Sequence, residues 1–548
     1  MATNSILISF NGYPHSMRSL YLDNGLANLA SCLLKEGHRT VIFDYSTVGI
    51  IKELFPDYLQ KKRVEIMRLV RKEIKSNKCV SIETIERVRI FEKETEKEKD
   101  NYIKRTAFQL SEYIKNNKID FLGFKLWSGE GFYGSLKLAS AVKKLVNIPI
   151  FGGGPQVDWF GQYIFKATSD FEALAYGEGE ETIVRFAEYV EEKLELGQIP
   201  GILYKAKESI VRTPKKLIET FSSIPLPVYD EEVYPAIKGN NKIKMVSFEE
   251  CRGCPNSCNF CVHPRKSGKK WRTKDASLVV DDLEKLVSKY NMRVFKFTGS
   301  NPPIRNKLEI AKEIIKRGLK IKYSAFAHVK GMDRDDYKIL KQSGCQALLY
   351  GVESGSDKIL KESANKNFNG SDIEKAVKDC QSAGIAFLAS IIVPQPFETE
   401  TTLQETVDVL KRAKPDLVFV SAPILEPESS WSINNEKFGF EIKNREELFY
   451  KEMIYTMKYS YPVLLWDDIA EYKLNGKTLK EMFLQAEGFT RRLSQEGLSS
   501  FGSDDMYLLS NSMNTDMRAV LSEVQESLSM ADHEKMQELA NNINERIK

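Results

Sequence analysis

The sequence predicts an α/β protein built as two α/β units in series, a doubly wound parallel sheet followed by a partial (β/α)6 barrel, with a helical region after them. Three observations predict it. Strand and helix signals alternate over residues 4–200, six strand–helix repeats recur over 244–425, and amphipathic helical patterns fill the tail. At 548 residues the chain exceeds one typical domain, so two or three are expected.

The elements follow in order. SILISF (5–10) reads as a buried strand. Asp23 to Leu34 has helical apolar spacing and Gly37 supplies a stop. RTVIFDY (39–45), FLGFKLW (121–127), IPIFGGG (148–154) and FEALAYGEGEET (171–182) supply further strands, with a helix through SLKLASAVKKLV (135–146). The highly charged stretch 50–112 reads as a solvated helical insertion. Residues 201–240, containing the hairpin-like GILYKAKESIVRTP and the Pro-containing SSIPLPVYD, read as a linker. The second unit, 241–425, draws its strands from KMVSFEE, RVFKFTG, KIKYSAFA, CQALLYG, IAFLASIIV and DLVFVSA. A barrel of this kind carries its chemistry at the C-terminal strand ends. Residues 426–548 read as mostly helical, and no chemistry is assigned to the terminal helices.

Composition excludes several classes. Lys plus Arg number 80 against 76 Asp plus Glu, a net charge of +4, which gives nucleic acid no support as the main partner. The longest apolar stretch, Ala386 to Pro394, is far short of the ~20 residues of a membrane span. No secretory leader pattern opens the sequence, so the expected location is cytoplasmic.

Of eight cysteines, four fall within CRGCPNSCNFC (251–261), directly after the first strand of the second unit. Such a knot in a reducing compartment reads as metal binding rather than a disulfide frame. Cys254, Cys258 and Cys261 are spaced C-x3-C-x2-C. Structural zinc pairs two short turns separated by a longer excursion, which is not found here. Three close thiolates can hold three irons of a 4Fe–4S cluster and leave one iron open to bind a small molecule. Cys251, at the strand end, reads as a core thiol.

This spacing, with Phe260 before the last cysteine and a six-repeat barrel around it, resembles the radical S-adenosylmethionine (SAM) superfamily. The resemblance implies SAM contacts at further strand ends: backbone at Thr298 and Gly299 in FKFTG, Glu353 and Ser354 in GVESGS, and Ser390 before the IIVPQP turn. Relatives carry a glycine-containing turn there, whereas this chain has Pro394, Pro396 and FETE, which puts the adenine contacts in question. Without a ligand, Glu353 reads as a capping or salt-bridged carboxylate.

The first 200 residues resemble the cobalamin-binding domain that precedes many radical SAM domains, through LDNGLANLASCLLKEGHRTVIFD (22–44), GGGP (152–155) and YGEGEET (176–182). The physical reading is that glycine-rich turns at strand ends admit a large ligand close to backbone; the alternative is tight structural turns alone. The residues implied are Ser128, Gly152, Gly153, Gly154, Pro155, Gly177, Glu178 and Gly179. No DxHxxG motif surrounds any of the five histidines, 15, 38, 263, 328 and 533, so cobalamin is expected base-off with no histidine below the cobalt.

The resemblance implies a methyltransferase that moves a methyl group from SAM, via methylcobalamin, to a carbon of a small molecule or peptide, with an external electron donor such as flavodoxin or ferredoxin. The alternative is radical rearrangement, ring contraction or oxidative cyclisation on the same scaffold. A transfer-RNA methylthiotransferase would need three N-terminal cysteines, where only Cys32 and Cys79 occur. An iron–sulfur scaffold or sensor would not need the SAM-like segments. No catalytic side chain is assigned. A lid is expected from 426–490, whose aromatic run 450–468 includes Tyr459 and Tyr461; the plain alternative is that these rings pack the tail onto the barrel.

Overall fold

The computed structural model describes residues 2–77, 80–455, 463, 466, 470 and 472–548. Tyr459 and Tyr461, and with them the core of the expected lid, lie outside the described residues.

The N-terminal sheet has seven strands: β1 (Asn4–Ser9), β2 (Arg39–Asp44), β3 (Phe121–Lys125), β4 (Ile150–Gly153), β5 (Ala173–Ala175), β6 (Ile202–Ala206) and β7 (Ser209–Arg212), in the order β2-β1-β3-β4-β5-β6-β7. The first five are parallel; β6 and β7 add antiparallel. The crossovers include α1 (Asn24–Lys35), the long pair α2 (Asp57–Asn77) and α3 (Ile82–Asn117), α4 (Glu130–Lys143), α5 (Pro155–Ala167) and α6 (Glu180–Val190), short helical turns being left unnumbered. Strand order reverses between β1 and β3, and in such sheets ligands sit outside the strand ends at that point.

Two sequence expectations change here. The stretch 50–112 is not wholly a solvated excursion: Tyr102, Ile103, Ala107, Leu110 and Ile114 of α3 are buried, because this half of α3 is the crossover helix between β2 and β3 and lies beside α4. The region 201–240 is not a loose linker. Its hairpin extends the sheet, and the following segment buries Tyr229 and Tyr234 completely. The Tyr234 hydroxyl donates to Asp44 at 2.5 Å, and Lys242 pairs with the same carboxylate at 2.7 Å. These are buried polar groups that need one another.

The second sheet contains β8 (Val246–Phe248) and, after a two-stranded ribbon of β9 (Cys251–Arg252) and β10 (Arg272–Thr273), β11 (Val294–Phe297), β12 (Lys322–Ala327), β13 (Cys345–Glu353), β14 (Ala386–Ile392) and β15 (Leu417–Ser421). Its six strands are parallel and run in sequence order, β8-β11-β12-β13-β14-β15, an open barrel. Outside it lie α7 (Ala276–Tyr290), α8 (Ile304–Arg317), α9 (Arg334–Gln342), α10 (Gly370–Ser382) and α11 (Glu400–Ala413). In α7, the apolar spacing puts Val279, Val280, Leu283, Leu286, Val287 and Tyr290 on one face; the first four are buried and the last two half-buried.

The C-terminal region holds α12 (Arg445–Tyr455), α13 (Leu479–Gln495), α14 (Asp504–Ser512), α15 (Met517–Ser529) and α16 (His533–Arg546). It also carries a small antiparallel sheet, β16 (Phe440–Ile442), β17 (Tyr472–Leu474) and β18 (Lys477–Thr478), too short to announce itself in the sequence. Helix α14 packs against β11, β12 and β13, where buried Lys296 lies 2.6 Å from both Asp504 and Asp505. The tail thus packs on three strands of the barrel. It also binds the first unit, where Arg63 donates to the Ser529 carbonyl at 2.7 Å.

Candidate functional site

The cysteine loop opens from the β9–β10 ribbon. Gly253 holds φ +85°, and a Cβ there would strike the Lys270 carbonyl, so the turn into Cys254 requires glycine. The Cys254 amide then donates to the Gly268 carbonyl at 3.1 Å. Two other segments pin the loop. Asn259 donates from its backbone to Ala364 O (3.2 Å) and from its side chain to Ser363 O (2.9 Å), and Asn365 Nδ2 reaches Ser257 O at 2.8 Å. Trp431, which is 1% exposed, donates from its backbone to Asn259 O and from Nε1 to Ser363 O, and its ring centroid lies 5.7 Å from that of Phe260.

Cys254 is buried, Cys258 and Cys261 are half-buried, and all three are free thiols. Burial pushes the Cys261 thiol up to about 12 and raises Cys258, and charge on the neighbouring loop cysteines raises each further. The loop therefore disfavours bare thiolates; a bound metal reverses that preference by its own charge. The His263 amide points at Cys261 Sγ, 3.4 Å away, a donor suited to a sulfur carrying charge. Among the described residues no three His, Cys, Asp or Glu side chains converge on one metal-ion position. Three thiols disposed around one loop, each within reach of its neighbours' charge, fit a multi-iron cluster better than a single ion. Cys251 is 1% exposed and faces Gly299, where an added Cβ would come within 2.8 Å of its sulfur.

The barrel strand ends surround the loop. Thr298 N and Oγ1 both donate to Phe248 O, and Gly299 N donates to Glu250 Oε2 at 3.0 Å. Glu353 is buried in a left-handed conformation at φ +65°, and its carboxylate lies 3.1 Å from Lys366 Nζ. Lys366 Nζ also donates to Gly351 O at 3.0 Å and sits 5.6 Å from the Phe260 ring centroid. Its ammonium is thus held between the expected SAM-binding strand end and the cysteine loop. Ser354 is turned elsewhere: its hydroxyl meets Thr406 Oγ1 at 3.0 Å and accepts from Ser356 N. Ser390 is half-buried on β14 opposite Gly351. In the turn after β14, Gln395 Nε2 donates to Glu353 O at 2.8 Å and links the two strand ends.

On the N-terminal unit, Gly152 lies inside the core, where a Cβ would meet Leu174, Leu126 and Phe171 within 3.1 Å; it is a packing glycine. Gly153, Gly154 and Pro155 are half-buried and lead into α5, and Ser128 is half-buried beyond β3. Asn11 Oδ1, just past β1, and Gln156 Oε1, at the start of α5, are buried without a hydrogen-bond partner among the described residues. Orphaned acceptors at the ends of β1 and β4 suit a ligand rich in amide N–H groups, as the cobalamin periphery is. Gly177 N donates to Asp158 Oδ1 at 2.6 Å. Glu178 faces the second unit instead of an open turn: Arg272 and the Ile218 amide hold its carboxylate. His38 is hydrogen-bonded to Thr3 at the opposite edge of the sheet, and His15 is tied to Glu130 at 3.2 Å.

Sequence reasoning missed Lys366, Trp431, Gln156, Arg272, Glu426 and Glu452. Only Glu452 left a signal, a carboxylate at a core-facing position of the apolar run LFYKEMIY.

Comparison with known proteins bears on the whole arrangement. Residues 250–410 match the family model of the radical SAM superfamily. An uncharacterized methyltransferase of Pyrococcus horikoshii is 27% identical over 314 residues, 56% of this chain and 67% of its own length. An anaerobic magnesium-protoporphyrin IX monomethyl ester cyclase of Rubrivivax gelatinosus is 26% identical over 320 residues, 56% of this chain and 57% of its own. The chain therefore spans about two thirds of the first relative and little over half of the second. In structure, the radical SAM methyltransferase TsrM of Kitasatospora setae, solved with cobalamin and a 4Fe–4S cluster bound, superposes with TM-score 0.63 over 99% of both chains at 13% identity. The likeness in fold covers both α/β units and the tail.

Proposed function

We propose that this chain, whose residues 250–410 form a radical SAM domain, is a cobalamin-dependent radical SAM methyltransferase acting on a carbon of a small molecule or peptide. The observation that carries the reading is the joint between the units: the cysteine ribbon after the first barrel strand is bound directly to the glycine turn after β5. Cys254, Cys258 and Cys261 hold the cluster. Thr298, Gly299, Glu353 and Ser390 border SAM. Ser128, Gly153, Gly154, Pro155 and the orphaned acceptors of Asn11 and Gln156 border cobalamin. When bound, these groups supply a carbon radical and a methyl group, chemistry that belongs to the cofactors.

The chain's own residues orient and enclose. Trp431, Asn259 and Asn365 fix the loop so that the three thiols keep one disposition. Lys366 places a positive charge between Glu353 and the loop. The tail helix α14 packs on β11, β12 and β13 and ties to Lys296. An external reductant such as flavodoxin or ferredoxin supplies electrons. No helix of the described residues is long and apolar enough to cross a membrane, and we place the enzyme in the cytoplasm.

The test is anaerobic incubation of the reconstituted protein with SAM, reductant and a cell extract, followed by mass spectrometry. 5′-Deoxyadenosine, S-adenosylhomocysteine and a methylated product are expected together. 5′-Deoxyadenosine with a ring-closed or rearranged product, and no methylation, would favour the second reading, which the cyclase relative keeps in play.

A further inference from the structure

Two carboxylates lie between the cofactor-bordering elements, and the scheme above leaves both unused. Glu452, on α12, is 3% exposed, and among the described residues neither carboxylate oxygen has a hydrogen-bond partner. Glu426, just past β15, accepts from the Val262 amide, next to Cys261, and its charge reaches Glu452. Helix α12 packs on α5, and Gln156 Nε2 reaches the Met453 carbonyl, the residue after Glu452, at 3.4 Å. The pair thus has the cysteine loop on one side and the start of α5 on the other.

Leaving a buried carboxylate unpaired is strongly unfavourable. Burial pushes the Glu426 carboxyl up to about 7 and Glu452 well above the usual range, so a cation placed between them would be strongly favoured. Among the described residues, the cation whose charge acts on Glu426 is Lys266, and its ammonium is already paired with Asp158. Dedicated calcium sites take six to eight oxygens, more than two carboxylates supply. A single ammonium, by contrast, has three donors and one charge, and two carboxylates match it.

We propose that Glu426 and Glu452 receive the amino group of an amine-bearing substrate, an amino acid, aminated metabolite or peptide amine. The reaction performed on that substrate rests on the methyltransferase reading; the binding itself does not. Both are positioning residues.

The reconstituted holoenzyme is the material for the test. Calorimetric titration with n-hexylamine should show binding that n-hexanol does not match, and Glu452→Gln should weaken it by at least about tenfold, the worth of a charge-assisted hydrogen bond. Because the free carboxylate is unpaired, Glu452→Gln should melt at or above the wild-type temperature. Equal binding of amine and alcohol, wild-type affinity in the variant, or a lowered melting temperature would overturn the proposal. Loss of cobalamin from the variant on gel filtration would overturn it too, by assigning the carboxylates to corrin amides. If amine binding holds while extracts give no methylated product, the function reading fails and the amine site stands.

Discussion

Arg272 grips Glu178 with both guanidinium arms, one donating to Oε2 at 2.9 Å, and the Ile218 amide donates to that same oxygen at 2.7 Å. Two residues on, Glu180 takes Arg252, the neighbour of Cys251, in the same manner. The turn after β5 of the first sheet is therefore fastened to the ribbon that starts the cysteine loop. Bidentate pairing of this kind fixes angle as well as distance.

Removing one partner of this buried pair strands the other. Arg272→Ala should cost about 3–5 kcal/mol in chemical denaturation, and the Arg272→Met, Glu178→Gln double variant much less. Additive losses in the double variant would show that the two residues act apart.

The same pair carries a pH dependence. Burial alone would raise the Glu178 carboxyl, but the Arg272 hydrogen bonds, the Arg252 charge and the Ile218 amide outweigh it and hold it below the usual carboxylate range. A depressed folded-state value gives stability that is complete above the unfolded carboxyl's pKa and is lost as pH falls through the folded one. Wild type should therefore lose stability in acid more steeply than Glu178→Gln. Parallel acid-denaturation curves would refute this.

Changing Cys254, Cys258 and Cys261 together to Ala should abolish bound iron and the cluster's visible absorption while leaving circular dichroism unchanged. Cys251→Ser should retain iron, since that thiol packs against Gly299 in the core. Iron loss in the single variant would make Cys251 a ligand.

Trp431→Phe keeps a ring beside Phe260 but loses the bond from Nε1 to the Ser363 carbonyl. A cost of about 1 kcal/mol is expected, with faster loss of iron to a chelator than in wild type. An unchanged chelation rate would remove Trp431 from the support of the loop.

Cobalamin retained by the protein should show no nitrogen splitting from an imidazole, or from its own base, in the electron paramagnetic resonance of the Co(II) form. His15→Ala should leave that spectrum unaltered, because its ring is committed to Glu130. A splitting that vanishes in the variant would identify His15 as a ligand.

The sequence by itself determined the two alternating units, because parallel strands buried on both faces read as short apolar runs between amphipathic helices. It also located the cysteine loop, since its three thiols lie within eight residues of chain, and the glycine turns, since positive φ or close packing leaves few residue choices. The tertiary structure decided what long-range contact decides. The half of α3 that looked solvated is a crossover helix, because its apolar face is sparse in sequence yet meets α4 and the sheet. The 201–214 hairpin joins the sheet, because edge pairing uses backbone groups that carry no sequence signature. Glu178 became an interdomain anchor because its partner, Arg272, lies 94 residues away. Glu426 is an ordinary acid in the sequence and Glu452 shows only as a carboxylate within an apolar run; the burial of Glu452, with no hydrogen-bond partner among the described residues, is decided by the tertiary structure.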